Sequence, residues 1–196
     1  MNTVAKKLKT KDLIVAGAFA ALYVAMLMIG VSVLGFIPIL YIMAPFFVSI
    51  LLGPIYMLYV AKVPKPGAIM ILAAATGLLT SMGGVWIALV WSLLIGLAAQ
   101  LIAHAGRYQS RKMYRISYCV FACTNMGPFW ALVLMKESFL ATAAEYYGPE
   151  YAASVAALTP PWIIFALIGI ALLGGLLGGA LGARLLKKHF EKAGVV

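Results

Sequence analysis

The sequence predicts an all-α membrane protein, a single bundle of six transmembrane helices over residues 1–196 with both termini cytoplasmic. Three observations carry this prediction: the composition, six apolar segments, and the placement of the basic residues. The chain is 65% hydrophobic and only 10% charged, and its mean hydropathy is +1.05. Since soluble domains carry about 25% charged residues, the composition excludes a soluble globular protein.

Six apolar segments account for the predicted helices, because crossing a bilayer takes roughly 20 apolar residues. Five of them meet this length easily, and the third is shorter but strongly apolar. Prolines within the second segment predict that its helix is kinked or partly broken. The predicted spans are residues 13–34, 37–61, 68–82, 84–105, 115–135 and 160–186.

The chain between the fifth and sixth segments differs from the rest, being polar and aromatic. Gly148 and Pro149 interrupt it, so residues 136–159 are predicted to form a long outer loop that carries short interfacial helices. The first apolar run, by contrast, has no short core followed by a small-residue cleavage site. It is therefore predicted to be a retained helix rather than a signal peptide.

The basic residues support the six-span topology. Fourteen of the fifteen lie in segments that this topology places in the cytoplasm, and only Lys136 lies outside. This asymmetry is that of the positive-inside rule. Omitting the short span at 68–82 would move the basic cluster at 107–115 to the outside, which favours the full count of six. Topology and anionic inner-leaflet lipid explain the net charge of +10, so nucleic acid is not an expected partner.

The apolar segments lack the sequence motifs that are typical of catalysis or of energy conversion. No P-loop sequence is present, and the spans carry no convincing Asp or Glu of the kind that ion-coupled carriers use. His104 and His189 lie at predicted cytoplasmic helix ends. Cys119 and Cys123 share a helix face without further soft ligands, which favours packing over metal binding. We expect neither enzymatic activity nor a metal or cofactor in this chain.

Polar and aromatic residues of the predicted outer half are the candidates for substrate contact. Asn125 is an amide deep in an apolar helix, and a buried amide needs partners, either from another helix or from a ligand. Lys136 either meets an anionic substrate group or snorkels to the interface.

The remaining candidates are aromatic. Trp86 and Trp162 begin predicted spans and are also suited to anchoring at the membrane interface. Trp130 follows Asn125 toward the outer surface, and Tyr146 lies in the long outer loop, which could close over a pocket as a lid.

Small residues mark two predicted packing surfaces. In the first segment Ala16 lies four residues before Ala20, and Gly17 four residues before Ala21, so each pair shares a helix face. Such a smooth strip allows another helix to approach closely. The final segment is rich in glycine, and we expect it to pack within the bundle, which would leave the first helix available to a partner protein.

The chain resembles the substrate-binding S components of energy-coupling factor (ECF) transporters, and more narrowly the Trep_Strep group. The resemblance rests on the opening KKLKTKDLIVAGAFAALY, on LGFIPIL at 34–40, on LLGPIYMLYVAKVPKPG at 51–67, and on the glycine-rich final helix. It implies six helices in the cell membrane of a prokaryote, with cytoplasmic termini and an outer substrate pocket capped by loops.

The same resemblance implies partners and a cargo. S components dock on a transmembrane coupling subunit through an A-x-x-x-A pattern, which Ala16 and Ala20 match, with Gly17 and Ala21 one step around the helix. Two cytoplasmic ATPases use the ATP, so this chain itself needs no cofactor. The implied substrate is a small organic micronutrient, either vitamin-like or related to haem or cobalamin. The alternatives are a stand-alone carrier, or a membrane scaffold that transports nothing.

Overall fold

The computed structural model describes residues 7–82 and 84–190, except for the side chains of residues 189 and 190, and within these ranges every regular element is helical. Lys6 and Lys192, two of the fourteen basic residues counted above, and the side chain of His189 lie outside the described residues. The elements are α1 (Thr10–Gly35), α2 (Pro38–Lys62), α3 (Ala68–Ser81), α4 (Ile87–Ala105), α5 (Arg111–Phe121), a 3₁₀ turn (Ala122–Met126), α6 (Phe129–Leu134), α7 (Lys136–Tyr147), α8 (Pro149–Ala157), α9 (Ile163–Leu185) and a π turn (Leu186–Phe190).

Four of the described helices are long and apolar enough to cross a membrane: α1, α2, α4 and α9. The third predicted span, α3, has 14 residues and is short for a span. The fifth predicted span is not one continuous helix, because the 3₁₀ turn and the Gly127-Pro128 pair separate α5 from α6. The structure thus provides four membrane-length helices, and the count of six stays a prediction.

The long helices and α3 and α5 pack side by side around a filled interior. Each contacts the next in the order α1, α2, α9, α5, α4 and α3, and α3 packs back against α1. Aromatic rings from three of these helices meet inside. Tyr56 lies 4.9 Å from Tyr118 and 5.0 Å from Phe121 between ring centroids, and Tyr23 meets Phe121 edge-on at 5.9 Å. These four side chains are fully buried.

Glycines let α9 approach its two neighbours at backbone distance, as the sequence analysis expected. Gly174, Gly178 and Gly182 lie against α2, while Gly175 and Gly179 lie against α5. A Cβ atom on Gly178 would overlap the Ser49 carbonyl, and one on Gly53 would overlap the Gly178 backbone. The prediction that the glycine-rich helix packs within the bundle is therefore confirmed.

The two ends of the bundle differ in charge. At one end Asp12 of α1 forms an ion pair with Lys65 of the α2–α3 loop, and at the other end the Tyr151 hydroxyl donates to the Gly35 carbonyl at 2.6 Å. We call the first the basic end, because residues 7–11, 62–65, 107–115 and 184–188 bring their lysines and arginines to it. The charged residues that the structure describes near the opposite end are Lys136, Glu137, Glu145 and Glu150, so acidic residues outnumber basic ones there.

Candidate functional site

Five buried polar side chains from three helices and the 3₁₀ turn come together inside the bundle. Tyr23 and Ser49 lie near the midpoints of α1 and α2, and Tyr118 lies on α5. Thr124 and Asn125 belong to the 3₁₀ turn. None of the five is more than 2% exposed. We call this group the polar cluster.

Ser49 links the elements that form the polar cluster. Its hydroxyl donates to the Pro45 carbonyl within α2, and it accepts a hydrogen bond from the Asn125 amide nitrogen at 3.0 Å. The Tyr118 hydroxyl donates to the Ser49 backbone carbonyl. These bonds hold α2, α5 and the 3₁₀ turn together in the apolar interior, where a hydrogen bond has no competition from water.

Three atoms of the polar cluster have no hydrogen-bond partner among the described residues: the Tyr23 hydroxyl, the Thr124 hydroxyl and the Asn125 Oδ1 atom. Asn125, Tyr118 and Thr124 lie beside the Tyr23 hydroxyl without meeting it in hydrogen-bond geometry. Leaving a buried polar group unpaired costs about 1–3 kcal/mol, so native proteins usually give such groups a partner, either another protein group or ordered water. The polar cluster thus holds several uncharged hydrogen-bonding positions, buried inside the bundle, that no described residue satisfies.

The broken fifth segment explains why Thr124 and Asn125 reach this position. Pro128 has no N–H to donate, which disfavours a continuous helix through this point. A Cβ atom on Gly127 would lie 2.6 Å from the Thr80 hydroxyl oxygen and 3.3 Å from Ala88, so only glycine lets the turn press against α3 and α4. Trp91 of α4 also holds the turn by donating to the Cys123 carbonyl at 2.8 Å. A 3₁₀ stretch inside a helical segment often marks a hinge or a strained stretch of sequence.

Of the six predicted substrate residues, only Asn125 lies in the polar cluster. Trp130 packs edge-on against Trp91 at 5.2 Å, and its indole nitrogen is buried without a partner among the described residues. Trp86, Tyr146 and Trp162 are 72%, 76% and 62% exposed. The structure therefore does not gather the six into one pocket. The three exposed rings suit interface anchoring instead.

Lys136 has a partner within the chain. Its ammonium group donates to the Thr159 carbonyl at 2.7 Å, which joins the start of α7 to the residues that follow α8. Tyr147 stacks on Tyr151 at 4.7 Å in the same α7–α8 loop, and Tyr151 bonds to the end of α1. Lys136 therefore closes the long loop through one of its three N–H donors, and its contact with substrate stays a prediction.

Replacing Lys136 by methionine tests this role, because methionine keeps the apolar stem and removes the donor. We expect faster hydrogen exchange of the backbone amides in α7 and α8, consistent with loss of a bond worth about 1 kcal/mol. The Glu137→Gln variant is the matched control, since Glu137 is the exposed neighbour. Equal exchange in the two variants would contradict the role assigned to Lys136.

The small-residue strip of α1 divides between the inside and the outside of the bundle. Ala16 and Ala20 are 0% and 6% exposed and line the interior with Tyr23. Gly17 and Ala21 are exposed, and a Cβ atom on Gly17 would meet nothing within 4 Å. Of the two pairs predicted for partner coupling, the structure thus places Ala16 and Ala20 in the chain's own core. Gly17 and Ala21 remain accessible, and we call them the docking strip.

The sequence did not single out the other four members of the polar cluster, Tyr23, Ser49, Tyr118 and Thr124. Each is a polar side chain within an otherwise apolar run, which is a signal of an internal hydrogen bond in a membrane helix. The sequence does not indicate which helices face one another, so it could not connect these residues to Asn125.

Membrane-length apolar helices, a filled helical interior and charge that differs between the two ends define a multi-pass integral membrane protein. The sequence model of the Trep_Strep family, described as a hypothetical bacterial integral membrane protein, matches residues 10–192. The chain belongs to this family. No curated protein and no solved structure matches the chain.

Proposed function

We propose that this chain is the substrate-binding S component of an ECF transporter. In this role it captures a small organic micronutrient from the outside and passes it on with the help of a coupling subunit and two ATPases. The observation that carries the proposal is the set of unpartnered atoms in the polar cluster, on Tyr23, Thr124 and Asn125. The resemblance of the sequence to S components supplies the class of transporter.

The chemistry of the polar cluster suggests the kind of substrate. Its five side chains carry no charge, and the rings of Tyr56 and Phe121 lie next to Tyr118 and Tyr23. A bare metal ion would need more oxygen ligands or a charged one. A neutral or amphipathic organic molecule with a hydrogen-bonding group matches better, because its apolar part would rest on aromatic rings.

Access to the polar cluster would come from the opposite end, past α6, α7 and α8. Tyr41 stacks on Phe129 at 4.9 Å and on Phe139 at 6.0 Å, which joins α2 to the start of α6 and to α7. We propose that this aromatic stack moves with the α7–α8 loop when substrate enters. In this proposal α3 and the broken fifth segment each cross the membrane, and both termini are cytoplasmic.

The docking strip of Gly17 and Ala21 is the proposed surface for the coupling subunit. It lies on the exposed face of α1, where small residues allow a partner helix to come close. The chain would contribute binding only, and the partner ATPases would consume ATP. Neither catalysis nor a cofactor in this chain is part of the proposal.

Substituting tryptophan at the docking strip tests the proposed function. Coexpressed with a coupling subunit and two ATPases, the Gly17→Trp and Ala21→Trp variants should copurify with them at least about ten-fold less well than the wild type, because a bulky ring blocks close helix packing. Leu94→Trp is the control, since Leu94 is 59% exposed on α4. Ala16→Trp is not a useful test, because that side chain would enter the core.

Two outcomes would contradict the proposal. If both docking-strip variants assembled normally and supported normal ATP-dependent uptake, Gly17 and Ala21 would not be the coupling surface. Uptake into liposomes that contain the purified chain alone would instead indicate a stand-alone carrier.

A further inference from the structure

A cleft of about 380 Å³ opens at the basic end, far from the proposed outer approach to the polar cluster. One wall is apolar and consists of Met57, Val60 and Ala61 from α2, together with Leu186 after α9. The proposed function assigns no role to this cleft.

The polar wall of the cleft is built from the α4–α5 loop and the start of α5, with Tyr108, Arg111 and Tyr114. Arg107 and Tyr108 have φ angles of 52° and 55°, in the left-handed region that side chains other than glycine rarely adopt. Two such residues in a row persist only where the surroundings hold them. The surroundings therefore fix the shape of this loop, which includes the cleft residue Tyr108.

Hydrogen bonds from two helices hold the strained loop in place. The Gln100 amide donates to the Tyr108 hydroxyl at 2.6 Å, and the Tyr114 hydroxyl donates to the Tyr108 carbonyl at 2.9 Å. Gln100 is 7% exposed, and its Oε1 atom has no partner among the described residues. The polar wall is thus held in a fixed arrangement by hydrogen bonds and is not an accidental gap between helices.

The charge near the cleft is positive, which favours an anionic occupant. Arg111 lies in the wall, and Lys62, Lys112, Arg115 and Lys187 follow within a few residues of lining positions. An arginine fork matches the geometry of a phosphate group, and the apolar wall matches a glycerol backbone and the start of an acyl chain. Basic pockets between membrane helices bind anionic lipid headgroups in this way.

We propose that this cleft binds the phosphodiester headgroup of an anionic phospholipid, with Arg111 on the phosphate. The site is independent of the proposed transport function and of the substrate. Its occupancy would tie α2, the α4–α5 loop and α9 together at the membrane surface.

The test uses the full chain purified in a neutral detergent, with phosphatidylglycerol or phosphatidylcholine added. We expect phosphatidylglycerol to raise the melting temperature and to give a bound-lipid peak in native mass spectrometry, whereas phosphatidylcholine does neither. Arg111→Gln should weaken binding about ten-fold, the loss expected for one charge-assisted hydrogen bond. Lys11→Gln, which removes an exposed charge of the basic end outside the cleft, should change binding by less than about two-fold.

A second variant keeps the proposal testable if Arg111→Gln fails to fold. Gln109 lines the cleft and is exposed, so Gln109→Glu adds a repulsive charge without disturbing the core, and it should also abolish the selectivity for phosphatidylglycerol. Equal binding of the two lipids by the wild type would overturn the proposal. If Arg111→Gln and Lys11→Gln weakened phosphatidylglycerol binding equally, the lipid would be held by general attraction to the basic surface, and the proposed site would be overturned. If inorganic phosphate alone reproduced the full shift, the ligand would be a soluble anion and not a lipid.

Discussion

The Gly178→Leu variant is expected to lose the folded bundle. Gly178 lies against the backbone of α2, where a Cβ atom would overlap the Ser49 carbonyl and lie 3.0 Å from the Ile50 Cα atom. Backbone atoms cannot move aside as a flexible side chain can, so α9 would have to separate from α2. Even Gly178→Ala should destabilise the chain by about 1–3 kcal/mol, although alanine is the better helix former.

Thermal unfolding of the detergent-solubilised chain measures this effect. The matched control is Gly169→Leu on the same helix, because a Cβ atom on Gly169 would meet nothing within 4 Å. The control should fold and melt close to the wild type. Similar melting temperatures for the two variants would show that α9 and α2 are not packed as described.

The Asn125→Leu variant should weaken substrate capture strongly and leave the empty protein stable. Leucine removes the hydrogen bond to Ser49, worth about 1 kcal/mol, but it also removes the unpartnered Oδ1 atom, whose burial costs about as much. Ser49 keeps its own bond to the Pro45 carbonyl. We therefore expect an unfolding free energy within about 1 kcal/mol of the wild type and a loss of affinity of about 100-fold.

The measurement has two steps. Mass spectrometry identifies the molecule that the wild type carries through purification, and titration calorimetry then compares its binding to both proteins. Gln100→Leu is the control, since Gln100 is also a buried amide with an unpartnered oxygen but belongs to the basic end. If Asn125→Leu lost much stability but kept its affinity for the substrate, the polar cluster would have a structural role only.

Much of the architecture could be predicted from local sequence alone. Apolar length predicted the helices that became α1, α2, α4 and α9. The glycines of α9 predicted close packing, which Gly174, Gly178 and Gly182 make against α2. These features depend on chain length, proline geometry and side-chain size, so no knowledge of neighbouring helices is needed.

The spatial grouping of the candidate residues was the hardest feature to predict from the sequence. Asn125 was singled out as a buried amide in need of a partner, and it does bond to Ser49. Trp86 and Trp162 were grouped with it because they share the predicted outer half, yet both are mostly exposed. Depth along the membrane can be read from position in a span, but the direction of a side chain around the bundle cannot.

The sequence by itself determined that this protein is helical, lies in a membrane, and has one strongly basic set of connections. Only the tertiary structure decided which face of α1 is internal, placing Ala16 and Ala20 in the core and leaving Gly17 and Ala21 accessible. The physical reason is the solvent. In water an apolar stripe identifies the inner face of a helix, but lipid is as apolar as the core. The inner face of α1 is therefore chosen by packing with α2 and α3, which sequence periodicity does not record.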